Sequence, residues 1–180
     1  LNAGPNWTAI AVPRGAIGEW QQGFEFAMQA NLVTEGVVVT DAITDKATLA
    51  DLQAAALSAQ NQYGRMLWMA IATAAQDGSQ TWAEFIAAAE ALQDGVFADR
   101  VMLVPEVFDG WLGTVMGRLC NEQTAIADSP MRTASGGIIG TPELPVDSEN
   151  AALNLSHMKA LNDNRMTVPQ VYADYDGIYC

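Results

Sequence analysis

The sequence predicts an α/β fold, in which βαβ units form a mainly parallel central sheet flanked by helices on both faces. The first observation is a pair of apolar runs, residues 66–72 and 100–104, separated by a segment with helical spacing. An unbroken apolar run of this length is typical of a strand buried on both faces. The second observation is that candidate strands begin near residues 7, 36, 66 and 100. A regular spacing of about 30 residues is what repeated βα units produce.

The segment between the two apolar runs predicts a helix over residues 81–92. Its apolar side chains Trp82, Phe85, Ile86 and Ala89 recur on one side of a helix. Thr81 followed by Glu84 forms a capping-box pattern, which marks the start of this helix. A strand, a helix and a strand with short connections form a βαβ unit, which crosses over with right-handed geometry.

The flanking elements follow the same alternation. Before the βαβ unit, the sequence predicts a strand at 7–12, a helix at 19–32, a strand at 36–40 and an alanine-rich helix from about Asp45. The apolar positions of that last helix are Leu49, Leu52, Ala56 and Tyr63. Past Pro105, a helical stripe includes Leu112, Val115, Met116 and Leu119, with Asp109 as the candidate cap.

The pattern changes after residue 127. Residues 128–147 form a connection rich in proline and glycine, within which Ile138 and Ile139 predict a short strand. Ser148 is the candidate cap of a helix that ends at residues 162–164. Residues 166–172 are the last strand candidate, and Pro169 favours a sheet edge or a bulge for it.

Composition excludes several classes of partner. The chain of 180 residues is 50% apolar, which is enough for a single α/β domain spanning residues 1–180. Its net charge of −13 disfavours binding to nucleic acid or to an anionic membrane. No apolar run approaches the roughly 20 residues of a membrane-spanning helix. The chain starts at Leu1 and stops at Cys180 without a polar tail, and we interpret it as a fragment of a longer protein.

The sequence contains no recognisable catalytic motif. No G-x-S-x-G or phosphate-binding glycine motif is present, and Ser79 is better explained by a turn before the helix at 81–92. The glycine cluster at 135–140 is interpreted as a loop. His157 is the sole histidine and lies beside a helical apolar stripe, so we interpret it as a structural, partly buried side chain. With Cys120 and Cys180 far apart in sequence, no zinc site is predicted.

We therefore predict no catalytic, cofactor-binding or metal-binding residues, no cofactor and no enzymatic activity. The alternative is a small-ligand site or enzyme that uses carboxylates at the carboxyl ends of the strands, such as Asp41 and Asp45. Helix capping and turn formation explain both residues more simply. Residues 174–177 resemble part of a calcium loop but lack its remaining ligands.

The tryptophans predict core packing. Trp20, Trp82 and Trp111 lie at predicted helix starts, where an indole ring can pack beneath the sheet.

The closing third of the chain contains four short motifs, at residues 126–132, 136–140, 164–170 and 174–179. In these motifs the chain resembles the tail sheath proteins of contractile-tailed bacteriophages and prophages, and the upstream βα units are compatible with the central domain of that family. It implies a structural subunit that forms hexameric rings with other sheath subunits around a tail tube protein and contracts once to drive the tube into the host. It also implies a location in the virion tail, and in the host cytoplasm during assembly, with no cofactor. A binding module of a related injection machine remains an alternative.

Overall fold

The computed structural model describes residues 36–64, 68–119 and 145–169. The predicted strand at 7–12, the helix at 19–32, the strand at 138–139, Trp20 and both cysteines lie outside these residues. The described elements, in chain order, are β1 (Gly36–Val39), α1 (Lys46–Tyr63), β2 (Trp68–Ala75), α2 (Trp82–Gln93), β3 (Val101–Glu106), α3 (Trp111–Leu119) and α4 (Leu155–Asp163). None of the described helices is long and apolar enough to cross a membrane.

The three strands form a parallel sheet in the order β1-β2-β3. Val38 pairs with Ala70, and Ala70 pairs with Met102. The predicted α/β class with a parallel sheet is therefore confirmed. Right-handed crossovers, the usual hand of βαβ units, place both connecting helices α1 and α2 on one face of a sheet with this strand order. Gly95 lies at their contact, where an added Cβ would be 3.3 Å from Leu49 of α1 and 3.2 Å from the Leu92 carbonyl oxygen of α2.

Strand β2 is the buried centre of the described sheet. Met69, Ala70, Ile71 and Ala72 are each at most 3% exposed, which confirms a strand covered on both faces. The strand runs three residues beyond the predicted end, to Ala75, because β3 continues alongside it as far as Glu106.

A bulge in β2 lies opposite Pro105. Ala72 pairs with Val104 and Ala75 pairs with Glu106, so two residues of β2 face one residue of β3. Because proline has no N–H to donate, the ladder cannot continue regularly at Pro105, and the extra residue in β2 accommodates the gap. The bulge separates the end of the sheet from its regular part.

Helix α1 begins and ends as its terminal residues require. The Asp45 side chain accepts a hydrogen bond of 2.7 Å from the Thr48 N–H, and Gly64 ends the helix with a left-handed φ of 65°. Leu49, Leu52 and Ala56 are buried, as the stripe predicts.

Helix α2 begins with the predicted capping box. The Thr81 hydroxyl accepts from the Glu84 N–H at 3.2 Å, and the Glu84 carboxylate accepts from the Thr81 N–H at 2.9 Å. Trp82 and Phe85 are buried and their rings meet edge to face at 5.7 Å, whereas Ile86 is only partly buried.

Helix α3 begins later than predicted and is not capped by Asp109. Its first residue is Trp111, and the carboxylate that accepts from its first turn is Glu106, at 3.4 Å from the Leu112 nitrogen. Gly110, with a φ of 79°, redirects the chain between Glu106 and the first turn of α3.

Trp111 is fully buried, and its indole N–H donates to the Thr167 carbonyl at 2.9 Å. Trp82 and Trp111 thus both lie in the core at helix starts, as predicted.

The segment 145–169 corrects two predictions. The last described helix begins after Asn154, whose side chain accepts from the Ser156 and His157 N–H groups, and not after Ser148. Residues 146–152 instead fold back on themselves, with an antiparallel bridge between Val146 and Ala152. The helix ends at Asp163 with Asn164 as its C-cap, close to the predicted end.

Residues 166–169 do not form the predicted strand, although Thr167 donates to the Leu103 carbonyl of β3 at 3.1 Å. Residues 170–172 lie outside the described part of the chain.

Candidate functional site

A cleft of about 450 Å³ opens at the carboxyl ends of the three strands. The connection between β1 and α1 contributes Thr40 and Ala42, and β3 and its following turn contribute Glu106 and Asp109. The remaining lining comes from the end of β2 and the turn after it: Ala72, Thr73, Ala75, Gln76 and Asp77. Ligands of parallel sheets bind at this end of the strands, so this cleft is the candidate site.

Two backbone hydrogen bonds hold the walls of the cleft together. The Ile43 N–H donates to the Ala72 carbonyl at 2.9 Å, which draws the β1–α1 connection over the end of β2. The Gln76 N–H donates to the Glu106 carbonyl at 3.0 Å, which continues the β2–β3 contact past the bulge. The cleft therefore has a fixed backbone frame.

Thr73 lies in the bulge and lines the cleft. The residue is 3% exposed, and its hydroxyl oxygen is buried without a hydrogen-bond partner. Buried hydroxyl groups normally have a partner, because an unsatisfied one costs about 1–3 kcal/mol. The buried hydroxyl therefore carries a free-energy cost at the bulge.

Glu106 has an unusual electrostatic environment. Burial raises the pKa of its carboxyl group, the N–H groups of Leu112 and Trp111 oppose that shift, and the nearby charge of Asp109 adds to it. The net effect is a pKa of Glu106 above the ordinary value, so ionisation of this carboxyl group is less favourable in the cleft than in water. A cation beside Glu106 would relieve that cost.

The turn after β2 is built by its polar side chains, as predicted for the stretch that contains Ser79. The Asp77 carboxylate accepts from the Ser79 N–H at 2.9 Å. Hydrogen bonds from the Ser79 side chain and from this N–H lower the pKa of Asp77. The Gln76 side chain accepts from Gly78 N–H and donates to the Gln80 carbonyl. Ser79 therefore serves the turn, and nothing in the described contacts activates it as a nucleophile.

The two carboxylates of the alternative hypothesis do not form this site. Asp45 caps α1, and the hydrogen bonds from Thr48 lower its pKa. Asp41 lies in the β1–α1 connection, between the lining residues Thr40 and Ala42, but does not itself line the cleft. The cleft lies at the carboxyl ends of the strands, where the alternative hypothesis placed a site, but neither Asp41 nor Asp45 is among its lining residues. Glu106 could have been found as the last residue of its strand, whereas Thr73 gave no signal.

A second polar cluster joins α2 to the segment 145–169. The buried carboxylate of Asp147 accepts from the N–H groups of Trp82, Glu149 and Ala151, at 3.1, 2.9 and 2.8 Å. The indole N–H of Trp82 donates to the Ala151 carbonyl at 2.9 Å. Burial alone would raise the pKa of Asp147. The hydrogen bonds from the three N–H groups and the charge of His157 lower it by more, so the pKa of Asp147 lies below the ordinary value. We call this cluster the Asp147 clasp, and its role is structural.

His157 belongs to this clasp. Its ring stacks on Trp82 with centroids 5.3 Å apart, and its Nε2 lies 3.4 Å from the Asn154 side-chain nitrogen. The Nδ1 atom is buried without a hydrogen-bond partner. The prediction of a partly buried structural histidine is confirmed in its placement, and its hydrogen bonding is less complete than expected.

The arrangement can accept hydrogen bonds and attract positive charge. The ionisable groups that line the cleft are the carboxylates Asp77, Glu106 and Asp109. Among the described residues, no group of three or more histidine, cysteine, aspartate or glutamate side chains is placed to hold a metal ion.

The parallel sheet and its connecting helices define an α/β domain. Comparison with known proteins identifies the family of this domain. The chain belongs to the DUF2586 family, whose N-terminal domain model matches residues 1–180. A protein of Haemophilus phage HP1 (strain HP1c1), named "Putative tail sheath protein", is 33% identical to it over 193 residues. The match covers 99% of this chain and 50% of that protein, so the chain spans about half the length of this relative. No solved structure matches the chain. The resemblance to phage tail sheath proteins is confirmed by this similarity.

Proposed function

We propose that this chain is the N-terminal part of a structural subunit of a contractile phage tail sheath. The observation that carries the proposal is the 33% identity to the tail sheath relative, which extends over 99% of the chain. The subunits assemble with other copies as hexameric rings around a tail tube protein. Contraction of the stacked rings then drives the tube into the host. The protein works in the virion tail after assembly in the host cytoplasm, and it catalyses no reaction.

Two features of the described surface support an assembling protein. Phe97 and Leu155 are 59% and 64% exposed, although side chains of this size gain free energy when they are covered. Phe97 lies before β3 and Leu155 lies at the start of α4. A subunit in a tube wall has neighbours on several sides, and separate apolar contacts are compatible with that.

Electron microscopy of the full-length protein tests this proposal. Purified without detergent and viewed in negative stain, it is expected to form hollow tubes or stacked rings of uniform width. Addition of the tail tube protein is expected to give a longer and narrower form, as contraction requires two states of the wall. Dispersed monomers or small closed oligomers across a range of salt and protein concentrations would contradict the proposal.

A further inference from the structure

We propose that the outer surface of residues 146–155 is the docking surface for the part of the full-length subunit that follows this domain. The apolar side chains of this surface are Val146, Ala152 and Leu155, and all three residues are exposed. The inference rests on the proposed function in one respect, namely that this chain is the N-terminal part of a longer subunit. It adds which surface of the domain the rest of that subunit contacts.

The pairing of Val146 with Ala152 places two apolar side chains on one outward face. The two residues form an antiparallel bridge, and directly opposed residues point their side chains to the same side. The residues that follow them, Asp147 and Leu153, point to the other side and are buried in the domain. Leu155 is three residues beyond Ala152, so the Cα atoms of these two residues are within about 11 Å of each other.

The exposure of these side chains has no explanation within the described part of the chain. Val146 is 45% exposed, and Leu155 is 64% exposed at a helix start that the Asn154 side chain already caps. Among the described residues, two of the four large apolar side chains that are exposed thus fall within this one short stretch. Single exposed apolar residues are common on protein surfaces, whereas a group of them marks a contact site.

The backbone beneath this surface is held in place by the rest of the domain. The Asp147 clasp joins it to the start of α2, and the Ser148 N–H donates to the Gln80 carbonyl at 3.2 Å. The turn after β2 packs closely against it, since a Cβ added to Gly78 would be 3.4 Å from the Val146 carbonyl oxygen. A surface that is already ordered loses little conformational entropy when a partner docks on it.

The length of the phage relative indicates the occupant. The matching family model is that of an N-terminal domain, and the match covers 50% of the relative. In a subunit of that length, a portion of similar size follows this domain. Segment 145–169 is the described part of the chain that is nearest to this portion in sequence, so a short connection is enough to bring the two together.

The small size of the surface favours a tethered partner over a second copy. Separate proteins that form a stable complex bury about 800 Å² on each partner. Three aliphatic side chains supply only a fraction of that area. A partner on the same polypeptide has a high effective concentration, so a smaller apolar contact is sufficient. The exposed Phe97, before β3, lies outside this surface and stays available for contacts between copies.

Photocrosslinking of the full-length, unassembled subunit tests the inference. With Leu155→p-benzoylphenylalanine, we expect a crosslink within the monomer from residue 155 to a peptide beyond residue 180, identified by mass spectrometry. The same substitution at Asp51, an exposed position of α1, is the control and is expected to lack this crosslink. A crosslink to a second copy, seen as a dimer on a denaturing gel, would overturn the inference. A crosslink confined to residues 1–180 would overturn it too, because the domain itself would then cover the surface.

Hydroxyl-radical footprinting of the wild type gives a second measurement that needs no substitution. In the unassembled full-length subunit, Leu155 is expected to lose most of the reactivity that its exposure in the domain confers. Full reactivity of Leu155 would overturn the inference.

Tube formation separates the inference from the proposed function. Protein that forms tubes but lacks both the crosslink and the protection would overturn the inference and leave the sheath function intact. Protein that shows the crosslink but forms no tubes would support the docking surface and contradict the sheath function.

Discussion

Gln53 shows how a single polar residue can hold two elements together from inside the core. Its side-chain amide nitrogen donates to the Leu49 and Gly95 carbonyls, at 3.1 and 3.0 Å. Its carbonyl oxygen accepts from the N–H groups of Phe97 and Ala98, at 2.9 and 3.0 Å. All the hydrogen-bonding positions of the side chain are thus used. Gln53 connects α1 to the loop before β3, where the backbone would otherwise lack partners.

Replacement of Gln53 by leucine is expected to destabilise the domain by about 2–4 kcal/mol, because two backbone N–H groups and one carbonyl lose their partners. The measurement is urea unfolding of the unassembled subunit, followed by tryptophan fluorescence. Gln62→Leu makes the same chemical change at an exposed position of α1 and is expected to stay within about 0.5 kcal/mol of the wild type. Equal effects of the two substitutions would show that the Gln53 contacts contribute little.

The sequence predicts the residues of the site less well than those of the core. The stripes at Leu49, Leu52, Trp82 and Phe85 are visible because burial follows helical periodicity. The roles of Gln53 and Asp147 depend on backbone groups more than 40 residues away, at Phe97 and Trp82 respectively. No local pattern encodes such contacts, and in isolation both residues look like ordinary surface positions.

At the scale of elements, helix starts were predicted well where the cap is local and poorly where a more distant contact competes. Thr81 and Glu84 exchange two hydrogen bonds and are only three residues apart, so the capping box can be recognised from the sequence. Ser148 has suitable chemistry for a cap, but the Asp147 carboxylate binds the Glu149 and Ala151 amides and forces a turn there. The helix can begin only after that turn, at Asn154.

Asn154 and Ser148 are expected to contribute differently to the stability of the domain. Asn154→Ala is expected to destabilise the domain by about 1 kcal/mol, the usual effect of losing an N-cap side chain. Ser148→Ala is expected to be nearly neutral, since no described hydrogen bond uses its hydroxyl. Denaturant unfolding of both variants tests this expectation. A larger loss of unfolding free energy for Ser148→Ala than for Asn154→Ala would favour a helix that begins after Ser148.

At the scale of the whole molecule, segment 145–169 is fastened to the α/β unit at two separate places. The Asp147 clasp joins it to the start of α2, and Thr167 joins it to β3 and α3 through both its N–H and its carbonyl group. Leu161, Met166 and Val168 add buried apolar contacts to the common core. We therefore expect the described residues to behave as one cooperative unit.

Hydrogen exchange tests that expectation. The amides of Trp82, Gln76 and Thr167 are expected to exchange only through the same global opening, because each depends on contacts between distant segments. Exchange of Thr167 through an opening several kcal/mol less costly would show that segment 145–169 detaches by itself.

The Asp147 clasp also has a consequence for the timing of synthesis. Its carboxylate lies 65 residues after the Trp82 amide that it binds. At about 5–20 residues per second, a ribosome needs roughly 3 to 13 seconds to deliver the second partner after the first. Throughout that interval the nascent chain carries α2 with its first-turn amide and the Trp82 indole N–H still without their final acceptors. The domain therefore reaches its native packing only after most of it has left the ribosome.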